Sequence, residues 1–108
     1  MARFQLASNE TLVGNGPMSL KQKWGLSSRM YQGTIYVTNR RICFHMSMSG
    51  TVLMDVALPE VKGFSVSRIL FITAVTIHSR AGEQYTLTGF PAKKLQRWLS
   101  QLGIPCFK

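Results

Sequence analysis

Residues 33–44, Gly-Thr-Ile-Tyr-Val-Thr-Asn-Arg-Arg-Ile-Cys-Phe, constrain the fold more than any other part of the chain. Ile35 and Val37 stand two residues apart, as do Ile42 and Phe44, and that spacing puts each pair on one face of a β-strand. The break between the two runs falls at Asn39-Arg40, and asparagine tolerates the left-handed backbone that a tight hairpin turn demands. The segment is therefore expected to be two antiparallel strands folded on each other, with Tyr36 and Phe44 packed on the sheet.

Short apolar runs and turn signals continue along the chain in the rhythm of a small all-β domain. Gly14-Asn15-Gly16-Pro17 interrupts the first run with a kink or bulge, and a strand is expected over 18–24, followed by a loop over 25–28. The hairpin occupies 30–46, and Ser47-Met48-Ser49-Gly50 is a turn. Val52, Met54, Val56 and Leu58 alternate on the next strand until Pro59-Glu60 breaks it. Further strands are expected over 61–67, 72–79 and 84–88, with a connection around Arg68 and with Gly82 supplying the positive φ of a hairpin loop at 80–83.

The period then changes. Leu95, Trp98, Leu99 and Leu102 fall at i, i+3, i+4 and i+7, one stripe of an amphipathic helix over about 91–102. Pro91 suits its first turn, Gly103 stops it and Pro105 prevents its resumption. Lys93, Lys94 and Arg97 lie off the stripe, on its wet face. About seven antiparallel strands and one C-terminal helix predict a mainly β fold, a bent barrel with the helix plugging one open end. At 108 residues the chain is expected to form one domain spanning 1–108.

Thirteen lysines and arginines face only Glu10, Asp55, Glu60 and Glu83, a net charge of +9 that favours an anionic partner: phospholipid, nucleic acid or an acidic protein surface. The densest apolar run, residues 69–72, is far short of the ~20 residues a membrane-spanning helix needs, so membrane contact would be peripheral. Two cysteines and an N-terminus without a signal-peptide pattern point to a reducing, cytoplasmic setting, at most at the inner face of a membrane. Cys43-x-His45 offers two metal ligands on one strand face, whereas a structural zinc needs four, and His78 and Cys106 would have to complete the set. No paired titratable groups, nucleophile elbow or Gly-rich phosphate loop is evident. Neither cofactor nor metal is expected, and the chain reads as a non-enzyme.

The order of elements, together with Gly33-x-x-Tyr36-x-Thr38-Asn39-x-Arg41-Ile42 and Phe44, resembles GRAM domains, a branch of the pleckstrin-homology-like superfold. Asn9-Glu10 matches the acidic start of that family's first strand. Residues 56–63 are similar to its segment in which an apolar strand meets an acidic turn and restarts, and residues 84–90 to its last strand leading into the helix. The likeness covers roughly residues 9–102 and is to a stand-alone domain of the bacterial type. It implies lipid or protein binding at membranes for many eukaryotic members, and no enzymatic activity.

Pleckstrin-homology folds commonly hold phosphoinositides at the loop between their first two strands, which the resemblance places at residues 21–29. Lys21, Lys23 and Arg29 are the candidate ligands for an anionic head group there, with Arg40 of the hairpin turn as a fourth. Trp24 and Leu26 at the loop tip are candidates for insertion at the bilayer interface, while the plainer reading folds Trp24 into the core and leaves the lysines on a solvated strand. Arg41 suits a salt bridge, with Glu60 as one partner.

Anionic lipid is thus the first expected partner. A protein partner or self-association through Met46, Met48, Met54 and residues 69–72 is the second. Nucleic acid ranks below both, because the cations are dispersed and few aromatics alternate with them.

Overall fold

The computed structural model describes residues 6–24 and 27–107, with the side chains of residues 22–24, 27, 28 and 69 outside that description. Strands β1 (Leu12–Trp24), β2 (Ser27–Thr38), β3 (Arg41–Met46) and β4 (Val52–Ala57) follow one another as a meander. A 3-10 turn at Leu58–Glu60 leads into β5 (Val61–Ile69), β6 (Ile72–Ser79) and β7 (Gln84–Thr88), then helix α1 (Ala92–Gln101) and a short β8 (Cys106–Phe107). All eight strands form one sheet in the order β4-β3-β2-β1-β7-β6-β5-β8, with β4 and β8 as its edges. Every pairing is antiparallel except that of β5 with β8.

The opening hairpin has the expected register: Ile35 stands opposite Phe44 and Val37 opposite Ile42, and all four side chains are fully buried. One core cluster joins Met54 and Val56 of β4 to Phe64 of β5, Val75 and Ile77 of β6, and Leu87 of β7. Residues from the two ends of the sheet meet in that cluster, so the sheet must bend around it. Among the described residues no strand pairing links the two ends of the sheet, β4 and β8, so strand pairing does not close it into a barrel. Leu95 and Leu99 of α1 are fully buried in the same cluster, with Trp98 and Leu102 packed partly buried beside them.

Three details differ from the sequence expectation, each for a physical reason. β1 begins at Leu12 and runs through the glycine-proline segment, with a bulge between Leu12 and Gly14. That segment is where the helix crosses the strand: a β-carbon on Gly14 would occupy the Trp98 indole, and one on Gly16 would meet Pro91. The glycines therefore serve close approach more than strand breaking. Asn39 is not left-handed; among the described residues Leu70, with φ 57°, is the non-glycine at positive φ. Finally, the chain beyond Gly103 adds the eighth strand, joined to β5 through the Phe64 N–H, which donates to the Pro105 carbonyl at 2.9 Å. Two residues are too few to carry an alternation pattern. As expected, Gly82 has positive φ (91°) in the β6–β7 turn.

Candidate functional site

Lys21 is exposed and sits opposite Met30 on β2 and Thr86 on β7. Its neighbour Leu20 is fully buried, so Lys21 occupies the outward face of the sheet. The same face carries the Thr86 and Thr76 hydroxyls, hydrogen-bonded to each other at 3.0 Å, and then Ser65, whose hydroxyl lies 2.9 Å from His78 Nε2. Arg29 is also exposed but stands opposite Gln22, one residue out of phase with Lys21. The pleat therefore sends Lys21 and Arg29 to opposite faces of one hairpin. Lys23 occupies the register position opposite Ser28, on the Lys21 face, while its side chain and that of Trp24 lie outside the described residues, as does the whole of Leu26.

Arg40 does not join this group. It lies just past the far end of β2 from Arg29, and at about 3.3 Å per residue the intervening strand holds the two well apart. Its Nε donates to the Asn9 carbonyl at 3.1 Å, which ties the turn to the chain entering β1.

The signature Thr38-Asn39-Arg40-Arg41 is instead explained by a buried clamp. The Thr38 hydroxyl donates to Glu10 Oε2 at 2.6 Å and accepts from the N–H groups of Arg40 and Arg41. Asn39 Oδ1 accepts the Thr11 N–H at 2.8 Å, and the Asn39 N–H returns a bond to the Thr11 carbonyl. Arg41 donates through Nε and Nη2 to the two Glu10 oxygens, at 2.8 and 3.2 Å, and through Nη1 to Asp55 at 3.4 Å. Sequence reading offered Glu60 for this role; the guanidinium lies on Glu10 and Asp55 instead. The Arg41 hydrogen bond outweighs desolvation and, helped by Thr38 and the Ala7 N–H, holds the Glu10 carboxyl at about 2, well below its usual 4.5. Arg41 is pushed up in turn, chiefly by its hydrogen bond to Glu10.

Cys43 is buried beside this clamp, its thiol 3.5 Å from Asp55 Oδ1, and burial with the Asp55 charge pushes it up to about 12. Its neighbour on the same face, His45, stacks edge-on against Tyr36 and is shifted downward by burial and then by Arg41. Among the described residues no three His, Cys, Asp or Glu side chains gather where they could hold one metal ion.

A further surface was only half visible in the sequence. The β5–β6 hairpin turns at Leu70-Phe71, and these residues with Ile72 are 88%, 101% and 58% exposed, while Phe90 at the start of the helix is 103% exposed. Phe71, Ile72, Thr73, Thr88, Gly89 and Phe90 line an open cleft of about 440 Å³ that Lys93 borders. Residues 69–72 read as an adaptable contact surface; Phe90 was missed because in sequence it reads only as the end of the segment leading from the last strand into the helix. Lys93, Lys94 and Arg97 are exposed, as the helical stripe requires.

No family model and no curated protein matches the sequence. Solved structures do. The C-terminal domain of an unknown protein from Leishmania infantum superposes with a TM-score of 0.68 at 19% identity, over 88% of this chain and 86% of that one. The PH domain of human pleckstrin homology domain-containing protein family A member 5 gives 0.58 at 12% identity, over 94% and 82%. The linker-DH/PH domains of p115-RhoGEF give 0.63 at 10% identity, over 90% of this chain and 30% of that one. At these identities the likeness concerns the fold alone. That fold is pleckstrin-homology-like: mainly β, one bent and unclosed sheet, and a C-terminal helix against its core.

Proposed function

We propose that this chain is a non-catalytic binding module of the GRAM branch that associates peripherally with anionic, phosphoinositide-like phospholipid head groups through the β1–β2 hairpin. The observation that carries the reading is the setting of the exposed Lys21 and Arg29: their strand neighbours are Met30, Thr86 and Gln22, none of them acidic. An ammonium beside the Thr86 hydroxyl offers a phosphate both charge and a neutral donor. Lys23 adds a third cation to the hairpin by its register. Each basic group near an anionic leaflet contributes about 1 kcal/mol, so binding by this surface is weak and salt-sensitive. The GRAM assignment is supported by the Thr38-to-Arg41 turn, which forms a specific clamp rather than a generic loop.

Vesicle cosedimentation tests the reading. The protein is expected to pellet with vesicles containing phosphatidylserine or phosphoinositide at low salt and to remain in solution with pure phosphatidylcholine. The double variant K21E/R29E is expected to lose at least about tenfold in partitioning. Partitioning that ignores lipid charge contradicts the proposal.

A second reading, a protein-interaction or self-association module without a lipid ligand, is favoured by the β4 end of the sheet, where Met48 is almost fully exposed and Val52 is exposed. Exposed apolar side chains beside a strand at the end of a sheet suit a partner surface. Light scattering that shows a stable dimer abolished by a proline in β4 would favour it.

A further inference from the structure

The β5–β6 tip combines two features that folding alone does not require. Leu70 holds φ at 57°, at the first central position of a two-residue hairpin where glycine is the stable choice, and a side chain there costs free energy. Its side chain recovers nothing by packing, since it is exposed, as are Phe71 beside it and Phe90 across the cleft. Apolar side chains at a tip that is both strained and solvated point to a use outside the fold.

The chemistry around the tip narrows the occupant. Arg68, paired with Thr73 on the hairpin stem, is exposed, as are Lys93 and Lys94 on the first turn of the helix, and residues 68–73 and 88–97 contain no carboxylate. Phe71 and Phe90 are fully exposed at the rim of the open cleft, so both rings are free to enter a deformable apolar phase. Cations beside them match anionic head groups. Ile72 also shares the outward face of the sheet with Lys21, through the alternation of β6 and the row that links Thr76, Thr86 and Lys21. A surface that meets Lys21 can therefore also meet this tip.

We infer that Leu70, Phe71, Ile72 and Phe90 form a membrane-insertion site, entering the head-group region of an anionic bilayer while Arg68, Lys93 and Lys94 lie at its phosphates. The inference rests on the phospholipid reading above. It assigns the apolar anchor to the β5–β6 tip and Phe90 rather than to the β1–β2 loop.

Flotation with phosphatidylserine-containing vesicles tests it, using the wild type, F71S/F90S and L70G, with thermal melts as a control for folding. F71S/F90S is expected to bind at least about tenfold more weakly at an unchanged melting temperature, since both rings lie outside the core. L70G is expected to bind more weakly while melting no lower than the wild type, a pairing that a purely structural Leu70 would not give. A Phe71→Trp variant is expected to be quenched by brominated acyl chains when vesicles are added. If the wild type floats and F71S/F90S floats equally well, the inference falls and the phospholipid reading stands. If the wild type does not float, both fall. A wild-type dimer in solution that F71S/F90S dissolves overturns the inference in favour of a protein interface.

Discussion

Glu10 shows how one side chain can hold a signature together. Its carboxylate receives the Thr38 hydroxyl, the Ala7 N–H and two Arg41 donors, and so fastens the segment before β1 to the β2–β3 turn. Replacing it by glutamine should cost on the order of 1–3 kcal/mol, because charge-assisted donors are left with a poorer acceptor. The folded-state value of about 2 lies below the usual 4.5, so this contribution is complete above pH 4.5 and is lost as pH falls toward 2. Urea unfolding across that range should show a slope in the wild type that E10Q lacks. Thiol chemistry offers a second check: exposed Cys106 should react with iodoacetamide in the folded protein, while Cys43, buried and with its thiol pushed up to about 12, should stay protected until unfolding. None of this was readable from spacing, because Glu10 and Arg41 are distant in sequence. Only the resemblance drew attention to both.

Among the elements, the hairpin of β2 and β3 was the most legible, since a period of two fixes both the strand and the face that is buried. β6 and β7 were also clear, each bounded by turn residues. The helix was legible by its stripe, but not the surface that receives it. Gly14 and Gly16 look like strand breakers in sequence and are contact points for Trp98 and Pro91 in the fold. A Gly14→Ala change should therefore displace the indole and cost about 1–3 kcal/mol, with a change in the near-ultraviolet circular dichroism of Trp98. Leu99→Ala, at the fully buried helix position next to Trp98, should cost about 2–5 kcal/mol by leaving a cavity under the helix. Both are read by equilibrium denaturation. The lipid-binding candidates on β1 and β2 were legible as cations but not as a constellation: the pleat divides Lys21 from Arg29, and the length of β2 separates Arg40 from both.

At the scale of the molecule, a bent, unclosed sheet with a net charge of +9 presents three different surfaces. The β4 end of the sheet exposes Met48 and Val52, the β1–β2 hairpin carries cations without acidic strand neighbours among the described residues, and the β5–β6 tip with Phe90 exposes apolar groups among cations. The last two share the outward face through Lys21 and Ile72, so one bilayer can engage both, while the β4 edge lies at the far end of the sheet order. Membrane binding of this kind should weaken as salt rises but persist in part through its apolar anchor, unlike a purely electrostatic contact.

The most direct measurement is amide line-broadening in the isotope-labelled protein on titration with nanodiscs containing phosphatidylserine. The account predicts broadening centred on residues 19–32, 68–73 and 88–94, with β3 and β4 left sharp, and no effect from discs of phosphatidylcholine alone. Broadening centred on the β4 edge, or equal broadening with uncharged discs, would contradict it.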